Sequence, residues 1–304
     1  MKTPAVGSKV SPTSILFATD FSEASLHALP YALGMASRYG SKLYPAHVIP
    51  IEPYLMGDPK AIDRLREARQ EADSSLAGLL DSVSNRGIPC QALVDNGDIW
   101  SVLSGFIEEY SVDLLVIGTT GRTGLGKVLL GSVAEEAIRE SPCPVLAVGP
   151  GAPSDETMKL QNILFATDFS SDSLLGAPYA LSFAEKFRAR LTLLHVISRL
   201  PDSPYLDAQL ARVRLNELIT PQFDLASTPE VTVEMGSPAD MILKVAMDKA
   251  ADLIIIGARG AGAFARLTTH FGSIAHRVVA RAVCPVLTVG GPRDGSPANE
   301  SHSA

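Results

Sequence analysis

An α/β fold written twice in tandem, each copy a doubly wound parallel sheet of five strands in the order 3-2-1-4-5, is what this sequence predicts, and three observations carry the prediction. The stretch Ile15-Leu-Phe-Ala-Thr-Asp-Phe-Ser22 returns letter for letter as Ile163-Leu-Phe-Ala-Thr-Asp-Phe-Ser170, and later blocks recur in the same order. Pro30-Tyr-Ala-Leu33 recurs as Pro178-Tyr-Ala-Leu181, His47-Val-Ile49 as His195-Val-Ile197, and Cys143-Pro-Val-Leu as Cys284-Pro-Val-Leu. A spacing of roughly 140 to 150 residues fits a whole domain and is far too long for a solenoid unit. Second, Leu114-Leu-Val-Ile117 and Leu253-Ile-Ile-Ile256 are apolar at every position, so both faces must be covered, as in a parallel sheet between helix layers. Third, such runs alternate with stretches of helical spacing, which right-handed crossovers arrange into few topologies.

In order, Ser14–Thr19 reads as the first strand. Ser22–Tyr39 reads as a helix through Leu26, Leu29, Leu33 and Ala36, and Lys42–Ile49 as the second strand. A helix over Pro59–Asn85, rich in Ala, Leu, Arg and Glu, is ended by Gly87. Pro89–Val94 is the third strand, and Asp98 is placed to cap a helix reaching Tyr110. Asp113–Ile117 is the fourth strand, Ser132–Glu140 the last helix and Pro144–Val148 the last strand. The second copy is shorter in its middle, where Pro201, Pro204 and Pro221 predict a short helix. The expected organisation is a first domain over 1–150, a linker over 151–159, a second domain over 160–291 and a disordered tail over 292–304.

A hydrophobic content of 46% suits two ordinary cores. A net charge of -7 argues against nucleic-acid binding, which wants a basic face. No signal peptide or membrane span is expected, so the expected compartment is the cytoplasm. The 3 cysteines, Cys90, Cys143 and Cys284, have no CxxC spacing, which disfavours a disulfide framework or a thiolate zinc site, and Cys143 and Cys284 read as packed thiols.

In the predicted order strands 1 and 4 are neighbours where the winding reverses, and ligands bind at their carboxyl ends. Asp20 follows strand 1. After strand 4 comes Gly118-Thr-Thr-Gly121-Arg122-Thr-Gly124-Leu-Gly126-Lys127, continuing to Gly131-Ser132. Glycines let several amides converge on one anion, and the helix start near Ser132 favours negative charge. Phosphate is the natural ligand, with Arg122 and Lys127 as countercharge and Asp20 placed for a sugar hydroxyl. Gly121 to Lys127 also has Walker A spacing, but Val128 stands where a hydroxyl must hold magnesium.

The spacing Gly118-x2-Gly121-x9-Gly131-Ser132, with the opening Ala18-Thr19-Asp20 and the alternating strands, resembles an ATP-binding universal stress protein domain, twice over nearly the whole chain. The resemblance implies an adenine-nucleotide alpha-hydrolase-like fold, ATP as ligand with Mg2+, and contacts from Thr19, Asp20, Val48, Gly118, Gly121, Gly131, Ser132 and Val133. A second site would use Thr167, Asp168, Val196, Gly257, Gly260, Gly272 and Ser273. There the loop is two residues longer than the family spacing and carries Arg266 and His270, so binding is expected more strongly in the first copy. The resemblance also implies antiparallel pairing of the last strands, Val145–Gly149 and Val286–Gly290, as in a dimer made covalent, and leaves room for a homodimer.

Several of these residues have plainer readings. Ser132 and Glu135 have the spacing of a capping box, and Asp20 could serve only its own loop. His47 and His195 read as packed imidazoles without metal-ligand spacing, Trp100 as a packing residue, and Arg64, Arg66, Glu67, Arg69 and Glu71 as a solvated helix face. No G-x-S-x-G elbow, HExxH motif or nucleophile–base pair supports catalysis. Two rivals to a nucleotide-linked regulator are a nucleotide-independent interaction module and a slow ATPase.

Overall fold

A computed structural model describes residues 8–51, 61–120, 130–154, 158–198, 203–258 and 274–290. The first half runs β1 (Ser14–Ala18), α1 (Glu23–Leu26), α2 (Leu29–Tyr39), β2 (Lys42–Pro50), α3 (Ala61–Ser84), β3 (Leu93–Gly97), α4 (Ile99–Glu109), β4 (Leu114–Gly118), α5 (Ser132–Glu140) and β5 (Val145–Val148). The second runs β6 (Asn162–Ala166), α6 (Ser171–Leu174), α7 (Gly176–Phe187), β7 (Arg190–Ile197), α8 (Pro204–Glu217), β8 (Glu230–Met235), α9 (Pro238–Asp248), β9 (Leu253–Gly257), α10 (Ile274–Arg281) and β10 (Val286–Val289).

The strands form one ten-stranded sheet in the order β3-β2-β1-β4-β5-β10-β9-β6-β7-β8. Each half therefore has the expected order. The halves join where β5 and β10 pair antiparallel, with Leu287 opposite Leu146 and Val286 opposite Ala147. This pairing occupies the edge that each half would otherwise expose. Two apolar layers, one on each sheet face, run unbroken across the junction. One contains Phe17, Leu146, Phe165 and Leu287, the other Leu16, Val145, Leu164 and Val286.

Three elements differ from expectation. The single helix over Ser22–Tyr39 is two, because Pro30 lies in the first turn of α2, where its missing N–H costs nothing, and could not bond back within a continuous helix. Pro178 does the same between α6 and α7. The third strand starts later and runs through Asp95 and Asn96, while Cys90 makes only an isolated bridge to Leu43. As an edge strand β3 can carry polar residues that an apolar run leaves out. The short helix of the second copy is α8, 14 residues against 24 for α3, with Pro204 in its first turn. Asp98 caps α4 as expected, accepting from the Ser101 amide at 3.0 Å and hydroxyl at 2.7 Å, bonds that hold its carboxyl below the usual range. Trp100 packs in the core beside Leu103 and Ile107, and the five charged residues singled out on α3 are exposed.

Much of the stretch expected as linker is packed against α2. The Ala152 carbonyl accepts from His27 Nε2 at 2.8 Å, the Pro153 carbonyl accepts from the Tyr31 hydroxyl at 2.6 Å, and Met158 is buried against Gly34. The chain ahead of β1 mirrors this, since the Val10 amide donates to Ser182 Oγ on α7 at 2.8 Å. Met158 precedes β6 as Val10 precedes β1. Each half thus lays the segment before its first strand on the helix between the first two strands of the other half.

Burial pushes the Cys143 and Cys284 thiols up to about 12, whereas Cys90 is half-buried. At pH 8, iodoacetamide should modify Cys90 in the native protein and all 3 cysteines after denaturation, as read by intact-mass spectrometry. Because the folded state favours the neutral thiols, stability should fall as pH rises from the ordinary value of 9.0 toward about 12.

Candidate nucleotide-binding crevice

Beyond Ala18 the first strand gives way to a tightly bonded turn. The Thr19 amide still donates to Ala46 O at 2.9 Å, but the side chain is buried and engaged. Ser25 Oγ donates to Ser22 O at 3.0 Å, so in the 2.9 Å contact between the two hydroxyls Thr19 is the donor. Thr19 Oγ1 also accepts from the Phe21 amide at 2.9 Å. This turn holds Phe21 at φ 61, a left-handed conformation that a bulky residue rarely adopts and that costs about 1–3 kcal/mol. Asp20 Oδ1 accepts from the Ser22 amide at 3.0 Å and hydroxyl at 2.6 Å, while Ser22 caps α1. The Thr19 carbonyl can only accept, so His47 Nδ1 carries the hydrogen of their 2.8 Å bond. The His47 ring lies 4.7 Å from that of Phe21.

The second half repeats the device. Thr167 bonds Ser173 at 2.8 Å, Phe169 has φ 62, Asp168 Oδ1 accepts from Ser170, and His195 donates to Thr167 O at 2.8 Å. Both histidines are thus pieces of a loop scaffold, and among the described residues no group of three or more His, Cys, Asp or Glu could hold a metal ion. The plainer reading of Asp20 is partly met, since one oxygen serves its own turn.

The opposite wall is the end of β4. Gly118 pairs with Val148, and a Cβ added to it would lie 2.7 Å from Ala24 O and 3.1 Å from Ser25 Cα. This glycine lets the start of α1, and with it the Asp20 turn, sit directly on β4. Gly257 does the same against Ser173 Cα at 2.7 Å. After Gly118, the Thr119 amide donates to Val148 O at 2.9 Å and its carbonyl accepts from the Gly131 amide at 2.8 Å, closing the excursion over 120–130 at its base. Gly121, Arg122 and Lys127 lie outside the described residues, as do Gly260, Arg266, His270, Gly272 and Ser273.

The helix that follows departs from expectation in one respect. Its N-cap is Gly131, in an extended conformation at φ -66, and no side chain caps it. Ser132 is the first helical residue, so the capping box with Glu135 does not form. The first-turn amides, those of Ser132 and Val133 among them, have no intrahelical acceptor and start the helix at the carboxyl end of the sheet. Val48 lies on β2 beyond the end of β1, which stops opposite Ala46, and pairs with Asp95 of β3. Val196 stands likewise opposite Glu234, beyond the Ala166–Leu194 pair.

The described residues thus put a carboxylate-bearing turn after β1 and a helix start without a side-chain cap after β4 at the same end of the sheet. Sequence reasoning missed Phe21, Ser25 and Thr119, which hold the turn after β1 and the end of β4 in place. The recurrence of Phe21 and Ser25 at Phe169 and Ser173 was the available signal.

The universal stress protein family model matches the chain twice, over residues 13–149 and 159–290. The chain belongs to the universal stress protein family. A universal stress protein from Mycolicibacterium smegmatis is 26% identical over 291 residues, spanning 90% of this chain and 96% of its own length. One from Methanocaldococcus jannaschii is 32% identical over 138 residues, 44% of this chain and 80% of its own length. The crystal structure of a universal stress protein from Archaeoglobus fulgidus shares the fold, with a TM-score of 0.70 at 24% identity over 91% of this chain and 97% of that one. Two matches in one chain make this a tandem universal stress protein. Among its described residues no helix is long and apolar enough to cross a membrane.

Proposed function

We propose that the first half of this tandem universal stress protein binds ATP, and that occupancy biases conformation or partner choice in a cytoplasmic stress response. The observation that carries this reading is the α5 start, capped by a glycine without a side-chain bond and set across the β1–β4 crevice from the Asp20 turn. Helix-start amides without an intrahelical acceptor and the helix dipole suit phosphate, and a carboxylate held by its own turn suits a ribose hydroxyl. Gly121, Arg122 and Lys127 of the glycine loop complete the phosphate side in this reading. Magnesium is usually held largely by phosphate oxygens and water, so the site needs no dedicated cage of carboxylates for it. Among the described residues of the crevice none pairs a nucleophile with a base, and binding rather than turnover is the activity proposed.

Isothermal titration with ATP and magnesium tests this on the intact protein. A saturable isotherm is expected, with Asp20→Ala weakening binding at least tenfold while leaving the fold intact. A flat isotherm for the native chain rejects the proposal. Local bonding of Asp20 Oδ1 favours, as a second reading, an interaction module that needs no nucleotide. A purified protein that releases no adenine nucleotide on denaturation and takes none up supports that reading. In either case the two halves, already paired through β5 and β10, leave β3 and β8 as the sheet's outer strands, and a homodimer is part of the proposal.

A further inference from the structure

Helix α8 is apolar on two sides. Ala211 and Leu215 are buried beneath it, yet Leu206, Leu210 and Val213 are 55%, 54% and 54% exposed. At about 3.6 residues per turn, the i, i+4, i+7 spacing of these three lines them up in one stripe, roughly opposite Ala211 and Leu215. A helix that covers one sheet face needs only the inner stripe. The repeat supplies the comparison, because α3 holds the same place in the first half, between the second and third strands. Its outward surface carries Arg66, Glu67, Arg69 and Glu71, and its exposed apolar residues, Ile62 and Leu65, lie near its start. A solvated crossover helix therefore serves this fold, and the outer stripe belongs to the second half alone.

The charges around the stripe fit a second α8 running the opposite way. The chain has a net charge of -7, but α8 balances Asp207 and Glu217 against Arg212 and Arg214, so copies are not driven apart here. Asp207 and Arg214 flank the same side of the stripe, one towards each end. Antiparallel pairing about Leu210 brings Asp207 of each copy to Arg214 of the other, whereas parallel pairing would stack like on like. Stacking on the Phe169 ring at 4.0 Å holds the Arg214 guanidinium by its face and does not consume its in-plane N–H donors. Glu217 continues the stripe, and antiparallel pairing sets it beside the amino end of the other α8, which no side chain caps. Arg212 turns instead to the outer strand β8, donating to Val231 O at 3.0 Å and opposing edge-to-edge pairing there.

We propose that the outer stripe of α8, Leu206, Leu210 and Val213, is the surface through which two copies of this chain associate, antiparallel about a two-fold axis near Leu210. The inference rests on the homodimer of the reading above and does not depend on a bound nucleotide. A helix of 14 residues is about 21 Å long, so two of them bury far less than the roughly 800 Å² per partner of a standard interface. The dimer is therefore a weak one that forms and dissociates with concentration.

Sedimentation of the full chain from about 5 to 500 μM tests this. The average mass should rise from one chain towards two. Leu210→Glu places two carboxylates together at the axis and should weaken association at least tenfold, with the unfolding midpoint unchanged because the side chain is half exposed. Ile62→Glu on α3 should associate like the native chain. Leu210→Cys should form a disulfide-linked dimer on oxidation, well above the level given by the native chain. A chain that stays monomeric throughout overturns the proposal and leaves the stripe to a different protein. Undiminished association in Leu210→Glu, equal loss in Ile62→Glu, or no cross-link at position 210 also overturns it and moves the homodimer to another surface. Titration with ATP is read separately on the same proteins, so failure here leaves nucleotide binding standing, and a flat isotherm leaves the α8 contact standing.

Discussion

Leu287→Ala, a substitution in the second half, should shift the unfolding transition reported by Trp100, in the first half, by about 2–5 kcal/mol. Leu287 is completely buried on β10, opposite Leu146 of β5, and both belong to the apolar layer that also holds Phe17 and Phe165. Truncation removes the transfer energy of the lost carbons and leaves a cavity that a close-packed sheet face cannot collapse around. That cost falls on both halves if they unfold together. Several contacts besides the strand pair say that they do. Tyr39 of α2 lies 5.8 Å from Phe183 and 6.2 Å from Phe187 of α7, ring to ring, and Met158 and Val10 each pack across the junction. The chain has a single tryptophan, so fluorescence during a urea titration reports on the first half alone, whereas circular dichroism reports on both. Coincident curves displaced together, with unchanged slope, are expected for one cooperative unit. If the Trp100 transition stays at its native midpoint while circular dichroism shows an earlier one, the halves are independent and the continuous core does not couple them.

How much of this was legible beforehand depends on how local each cause is. Strands apolar on both faces announced a covered parallel sheet, and β4 and β9 occupy the predicted places because that signal lies within five residues of each. The repeat itself revealed that two such sheets exist. The end of β3 was misplaced because an edge strand is not obliged to be apolar, so Asp95 and Asn96 belong to it. The helix over Ser22–Tyr39 was read as continuous because its apolar spacing survives the break that Pro30 imposes. Ser132 and Glu135 have the spacing of a capping box, but the pattern is equally compatible with serine one position inside the helix, and only backbone geometry separates the two. Thr19 reads as a ligand contact by position, yet its hydroxyl ties Phe21 to Ser25.

Gly118 is the sharpest case of a residue with two readings, and substituting it together with its counterpart separates them. As a member of the glycine loop it would be there so that phosphate can come close. Its surroundings give another reason: a Cβ would stand 2.7 Å from Ala24 O, a backbone atom with no flexible end to swing away. Gly118→Ala should therefore lower stability by about 1–3 kcal/mol through overpacking, with the start of α1 pushed off β4. Gly257→Ala meets Ser173 Cα at the same 2.7 Å and should cost a similar amount. The two variants diverge in binding. Displacing α1 carries the Asp20 turn with it, so Gly118→Ala should weaken ATP at least tenfold if the first half holds the nucleotide, whereas Gly257→Ala should leave the affinity near native. Gly131→Val supplies the third arm. At φ -66 that position accepts any L residue, so the change should cost no backbone strain, and its expected effect is loss of ATP by a side chain standing in the phosphate space. Thermal unfolding and titration on the same three proteins decide the matter. Equal loss of ATP affinity in Gly118→Ala and Gly257→Ala would assign binding to both halves, and native affinity in Gly131→Val would remove the start of α5 from the phosphate site.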